Sequence, residues 1–123
     1  NMSAGDYCVK FLSTEKSVRS EAAKSLGKLG KAGAEAVIPL LSADDWVFRY
    51  RACEVLGLCG CREFADRLIP MLSDENDMVR CCAAKSLGII GNPSHVQYIK
   101  PLMGDKNPYV VREAHRTLQK WKR

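Results

Sequence analysis

The sequence predicts an all-α solenoid of stacked antiparallel helix pairs, about eight helices in all. Three observations carry that reading. Leu26, Leu56, Leu87 and Leu118 recur at spacings of 30, 31 and 31 residues. Around each of these anchors the same residue types return at the same offsets. Eight positions before them stand Val18, Phe48, Val79 and Val110, and four before them Ala22, Ala52, Ala83 and Ala114. Those offsets mark one face of an α-helix, and a repeat of this length is one supersecondary unit that buries its apolar face only against its neighbours.

The first helix of each unit, helix A, is bounded by its own signals. Asp45, Asn76 and Asn107 stand eleven positions before the last three anchors and suit the N-cap. Pro108 follows Asn107 at the first helical position, where a missing N–H costs nothing. The alanine row lets a partner helix approach closely. Gly27, Gly57 and Gly88 follow the first three anchors, and Gly30, Gly60 and Gly91 come three residues later. These glycines are expected to end the helix through a left-handed turn.

The second helix, helix B, is shorter. Leu12, Leu41, Leu72 and Met103 share one register, with Cys8, Val37, Leu68 and Ile99 four positions earlier and Ala34, Ala65 and Val96 seven before the last three. Pro39, Pro70 and Pro101 precede the register residue by two. A proline inside a long helix costs about 3 kcal/mol. Short helices beginning near residues 34, 65 and 96 place it close to the first turn, where N–H groups lack partners anyway. The chain then reads as one repeat domain over residues 1–123: a half-repeat helix B at 2–13, repeats at 14–42, 43–73 and 74–104, and a half-repeat helix A at 105–123.

Val18-Arg19 and Val79-Arg80, the pairs Ala22-Ala23 and Ala83-Ala84, the Leu-Gly steps, and Ile38-Pro39-Leu40-Leu41 with Ile69-Pro70-Met71-Leu72 resemble the short HEAT-like repeat also named after phycobilisome lyases. The resemblance covers nearly the whole chain. It implies a right-handed α-solenoid, an α-α superhelix, with B helices lining the concave face. It does not specify a task, because such repeats serve many. The fourth repeat departs from the pattern. Val111 stands in the row of Arg19, Arg49 and Arg80, Gln119 and Lys122 replace the glycines, His115 replaces the second alanine, and Trp121 takes the place of Leu29 and Ile90. Helix A of this repeat is expected to run on toward the chain end.

No catalytic constellation emerges, and a non-enzyme without cofactor or metal is expected. The Gly-x-Ser-x-Gly, P-loop and dinucleotide patterns are absent from the sequence. The resemblance also extends to iron-binding hydroxylases, which carry repeated His-Glu pairs, but His95 and His115 lack the adjoining Glu. A bilin lyase role rests on the repeat name alone. Cys59 and Cys61 end one helix A while Cys81 and Cys82 begin the next, about 13 Å apart in level if the helices run parallel. That is too far for zinc, whose thiolate ligands sit at about 2.3 Å. The cysteines form no regular disulfide framework, so a reducing, cytoplasmic compartment is expected. The repeating Arg19, Arg49 and Arg80 read either as an anion-binding row or as a ladder pairing Arg with Asp or Asn in a neighbouring loop. The repeat-locked spacing favours the ladder.

Binding to a macromolecule is the expected role. On the B helices the rows free of the core mix aromatics, aliphatics and both charge signs. The protein or peptide partner is expected on Tyr7, Glu35, Ile38, Arg67, Ile69, Tyr98 and Lys100, since Tyr and Arg dominate interface energetics. The alternative is a nucleic acid on Lys24, Lys28, Lys31, Tyr50 and Arg51, which join phosphate-pairing to base-stacking types. The formal net charge of +5 is concentrated at residues 15–31 and 112–123, leaving the middle nearly balanced. Central acids such as Glu35, Glu63 and Asp66 oppose a phosphate backbone. No membrane partner is expected, because no apolar run is long enough to span a bilayer. The third possibility is a monomer that self-associates weakly through array ends near Phe11 and Trp121.

Overall fold

The computed structural model of the chain describes residues 1–122. The A helices are α2 (Lys16–Lys28), α4 (Trp46–Cys59), α5 (Asp77–Ile90) and α7 (Pro108–Trp121), with the short helices α1 (Ala4–Val9), α3 (Lys31–Val37) and α6 (Val96–Ile99) between or before them. Each short helix belongs to a B limb completed by 3₁₀ turns. The limbs cover residues 4–12, 31–42, 62–73 and 93–104, and the third is 3₁₀ throughout, Arg62–Leu68 and Pro70–Ser73. The described residues thus form an all-helical stack of eight helical limbs without strands. None of its helices is long and apolar enough to cross a membrane.

The predicted caps form. Asp45 accepts from Val47 N–H at 2.8 Å, Asn76 from Met78 at 2.8 Å and Asn107 from Tyr109 at 2.8 Å. Ser3 and Asp6 close a capping box at the first limb. The expected helix B is corrected in two respects. The limbs start at residues 31, 62 and 93, three earlier than expected, and the prolines end the first segment of a limb instead of sitting near its start. Past the proline the chain turns 120° per residue instead of 100°. One full 3₁₀ turn from Leu68 or Ile99 therefore reaches Met71 or Leu102. Phe11, Met71 and Leu102 are buried; of the expected register Leu72 is buried and Leu41 half-buried, while Leu12 and Met103 are exposed. Phe11 is accordingly not the exposed end residue that a free array end suggests, and Trp121 is half-buried against the core.

The A helices run parallel, with equivalent rows side by side. Ser86 Oγ donates to the Cys53 carbonyl at 2.7 Å, and Thr117 Oγ1 to the Ala84 carbonyl at 3.1 Å. Such bonds to a helical carbonyl need the backbones nearly in contact. The glycine row next to the anchors supplies that space. A Cβ on Gly27 would lie 2.6 Å from Leu58 Cβ, one on Gly57 2.5 Å from Ser86 Oγ, and one on Gly88 2.7 Å from Thr117 Oγ1. These glycines lie inside their helices, so their expected role as terminators is corrected to one of packing. The second row does end helices, with φ of +60° at Gly30 and +69° at Gly60. Gly91 leaves its helix with extended backbone instead.

The arginine row forms the ladder. Arg49 Nε and Nη2 donate to Asp74 Oδ1 and Oδ2 at 2.8 and 3.1 Å, while its Nη1 donates to the carbonyls of Ala43 and Asp44, both at 2.8 Å. Arg80 repeats the arrangement on Asp105, at 2.8 and 3.2 Å, and on the carbonyls of Asp74 and Glu75. Each guanidinium thus ties the loop before its own helix to the loop before the next. The bidentate geometry is the strong form of this pair. The Arg80 guanidinium holds the Asp105 carboxyl below the usual carboxylate range.

The close approach and the ladder can each be tested by substitution. Gly57→Ala is expected to lower stability by about 1–3 kcal/mol through overpacking. Gly104→Ala, whose Cβ meets nothing within 4 Å, should change it by less than about 1 kcal/mol; urea melts of the two variants check the contrast. Asp105→Asn is expected to cost about 2 kcal/mol near neutral pH by removing a charge-assisted bond. Because the folded pKa is depressed, that stability is present above the unfolded value of about 3.9 and is lost as pH falls through the folded value. The gap between wild type and variant should therefore close in acid, and a gap that persists there would show that the ion pair does not supply this stability.

Candidate partner-binding surface

The B limbs present a mixed surface in which only some of the expected residues converge. Ile69 and Tyr98 line one groove of ≈ 520 Å³ between the third and fourth limbs, together with Asp66, Pro70, His95 and Gln97. Arg67 and Lys100 are exposed on the same two limbs, and Glu35 is exposed on the second. Ile38 is half-buried against the core. Tyr7 is set apart, half-buried and lining a separate recess of ≈ 240 Å³ with Lys10, Val18 and Glu21.

The groove floor is held by His95, which the sequence alone brings forward only as an iron ligand and sets aside for want of an adjoining Glu. Its Nδ1 accepts from Asn92 N–H at 3.2 Å. That places the proton on Nε2, which lies 3.0 Å from Asp66 Oδ1. One buried imidazole thereby links two consecutive limbs. Its ring centroid is 6.5 Å from that of Tyr98 and 6.4 Å from that of Trp121. Tyr98 is therefore an aromatic set on a fixed support with its outer part in solvent. A sequence signal existed: His95 shares its row with Gly33 and Phe64, positions facing the preceding helix A.

The residues expected to contact nucleic acid are dispersed. Lys24 pairs with Glu21 at 3.7 Å and Lys31 with Glu63 at 3.5 Å, while Lys28 is exposed at the end of α2. Arg51 must be corrected. It is only 3% exposed, its Nη1 donates to Glu54 at 2.8 Å, and its guanidinium lies 5.0 Å from the Tyr50 ring centroid. Although its Nε has no hydrogen-bond partner, an arginine covered to this extent is out of reach of a phosphate. Periodicity placed it on a helix face without revealing that the neighbouring helix covers that face.

Sequence reasoning missed an apolar groove of ≈ 260 Å³ on the A helices, lined by Tyr50, Leu58, Met78, Cys81, Cys82 and Ile89 among others. Leu58, Met78 and Ile89 are 47%, 46% and 43% exposed. The signal was available in one row, which reads Lys28, Leu58, Ile89, Lys120: charged at the array ends and apolar in the middle. All six cysteines are free thiols. Burial pushes Cys53 up to about 12 and raises Cys81 and Cys82 as well. Among the described residues no three His, Cys, Asp or Glu side chains come together in a metal-binding group.

The HEAT-repeat family model matches residues 34–119, and that of the PBS lyase HEAT-like repeat matches residues 18–43. The chain is a HEAT-repeat protein. No curated protein matches it in sequence. Among solved structures, it is similar to a chain of the complex of CpcE and CpcF of phycocyanin lyase from Nostoc sp. PCC7120, at 17% identity and a TM-score of 0.86, covering 97% of this chain and 78% of that one. It is similar also to human deoxyhypusine hydroxylase in complex with glycerol, at 23% identity and a TM-score of 0.74, covering 99% of this chain and 44% of that one. An engineered protein shares 21% identity at a TM-score of 0.66, with 97% of this chain and 62% of that one covered. At these identities the likeness is one of fold. This HEAT-repeat stack owes its surface chemistry to its own residues.

Cys53 is expected to be the last of the six thiols to react with iodoacetamide at about pH 8, where a thiol of ordinary pKa is already partly ionised. Mass spectrometry of a time course checks this, and modification of Cys53 before Cys81 would show that the helix stack opens.

Proposed function

We propose that this protein is a non-catalytic binding scaffold that receives a protein or peptide partner on its B-limb surface. The observation that carries this reading is the groove between the third and fourth limbs, where Ile69 and Tyr98 flank a floor fixed by the His95–Asp66 pair. A rigid aromatic with its face in water, an aliphatic beside it and an exposed arginine nearby are the components that dominate protein interfaces. Glu35 and Ile38 on the second limb and Lys100 on the fourth extend the proposed surface, while Tyr7 lies apart in its own recess. The similar chain from phycocyanin lyase belongs to a complex of two proteins, CpcE and CpcF, which supports a protein partner by analogy.

Binding is favoured over catalysis because several of the reactive side chains are already engaged. His95 is bonded at both nitrogens, Arg49 and Arg80 are held in the ladder, and burial keeps Cys53 protonated. The nucleic-acid reading loses Arg51 and keeps Lys24, Lys28 and Lys31 as exposed cations, two of them paired with carboxylates.

The test is a pull-down from source-cell lysate under reducing conditions, with and without nuclease, run beside an Arg67→Glu/Tyr98→Ala variant whose helicity is verified by circular dichroism. The expected outcome is a protein retained after nuclease and weakened about ten-fold or more in the variant, as for loss of interface anchors. Equal capture by the folded variant would rule out this surface. Nucleic acid recovered in a salt-sensitive manner would transfer the function to the lysines of α2.

A further inference from the structure

The arginine ladder has one rung whose carboxylate is missing from the sequence. Thirteen positions before the anchors stand Ser13, Ala43, Asp74 and Asp105. Asp74 and Asp105 fill the forks of Arg49 and Arg80. The partner position for Arg19 is Ala43. Its backbone has φ −66° and ψ 148°, against −58° and 147° at Asp74 and −63° and 146° at Asp105. The loop therefore has the conformation that carries the carboxylate elsewhere, without the carboxylate.

Arg19 itself is set as in the other rungs. Its Nη1 donates to the Ser13 carbonyl at 2.8 Å, matching Arg49 on Ala43 at 2.8 Å and Arg80 on Asp74 at 2.9 Å. Its Nε is buried with no hydrogen-bond partner, whereas the same atom of Arg49 and Arg80 bonds an aspartate oxygen at 2.8 Å. A buried, unsatisfied donor on a cation costs free energy that a ligand can recover. The side chain lines a recess of ≈ 230 Å³ whose walls include Phe11, Leu12, Val47 and Phe48. Asp45 also lines the recess, its Oδ1 accepting from Val47 N–H at 2.8 Å as the cap of α4, so a ligand carboxylate must be held by the Arg19 fork against the charge of Asp45.

We propose that Arg19 and this recess form a binding site for a carboxylate of a polypeptide, an Asp or Glu side chain or a chain end with an apolar group beside it. The ligand carboxylate takes the place that Asp74 and Asp105 hold in the other rungs, and Phe11, Leu12, Val47 and Phe48 receive its apolar neighbour. The site lies apart from the groove between the third and fourth limbs and stands or falls separately from it.

The test follows the Nε–Hε resonance of Arg19 by ¹⁵N NMR during titration with three probes. N-acetyl-leucine represents a chain end, the α-amide of N-acetyl-aspartate a side chain, and N-acetyl-leucinamide the apolar group without a carboxylate. Saturable shifts at Arg19, but not at Arg49 or Arg80, are expected with at least one acid and not with the amide. The responding acid identifies the source. Ala43→Asp, which fills the rung from within, should raise the melting temperature and weaken binding at least ten-fold. Arg19→Lys keeps the charge but loses the fork, and should weaken it similarly; binding to this variant is followed through the backbone amide resonances of Val47 and Phe48, which line the recess. An absent response to both acids, an equal response to the amide, or undiminished binding in folded Ala43→Asp or Arg19→Lys would overturn the proposal.

Discussion

Gly27, Gly57 and Gly88 bring the parallel A helices so close that a hydroxyl on one helix reaches a carbonyl of the next, and the rest of the stack is arranged around that approach. The alanine row and the first three leucine anchors are buried in the core beside it. Because an interior is packed to near-crystalline density, a methyl group added at Gly57 has no room to be absorbed. The hairpins are therefore locked in register by backbone contact, which makes the surface rows of successive repeats line up.

The arginine ladder is the polar counterpart of that contact. Each guanidinium satisfies carbonyls of one inter-helix loop and the carboxylate of the next, so the loops at one edge of the stack are tied in series. The pairs Arg49–Asp74 and Arg80–Asp105 are largely withdrawn from water and hydrogen-bonded at both ends, the condition under which buried ion pairs hold geometry instead of merely costing desolvation. The series stops short at the first repeat, where Ala43 leaves Arg19 with an unmet donor, and it ends at the fourth, where Val111 has no charge. The ladder is thus regular in the second and third repeats and interrupted at the first and fourth, where side chains not consumed by it are found.

The B limbs show how a small conformational change redirects a surface. A 3₁₀ turn closes every limb, after a proline in the last three and without one in the first, and it alters which residues face the core. Leu12 and Met103 move outward, while Phe11, Met71 and Leu102 turn in. Ahead of that turn, the fourth limb carries Tyr98 near His95, beside Ile69 of the third. The groove is therefore a product of the limb geometry together with the Asp66–His95 bond across it.

The period, the all-helical class, the A helices with their caps, and the pairing of Arg49 and Arg80 with acids in neighbouring loops were all legible in the order of residues. These features repeat, and repetition exposes the offset at which a local rule operates. Three-dimensional packing was needed to settle which B row is inside, that the first glycine row packs where the second terminates, and that Arg51 is buried on Glu54. It was needed also to place the tyrosines of the expected site in separate recesses. Each of these depends on what the adjacent repeat sets opposite a residue, and helical periodicity specifies the face of a helix but not the neighbour that covers it.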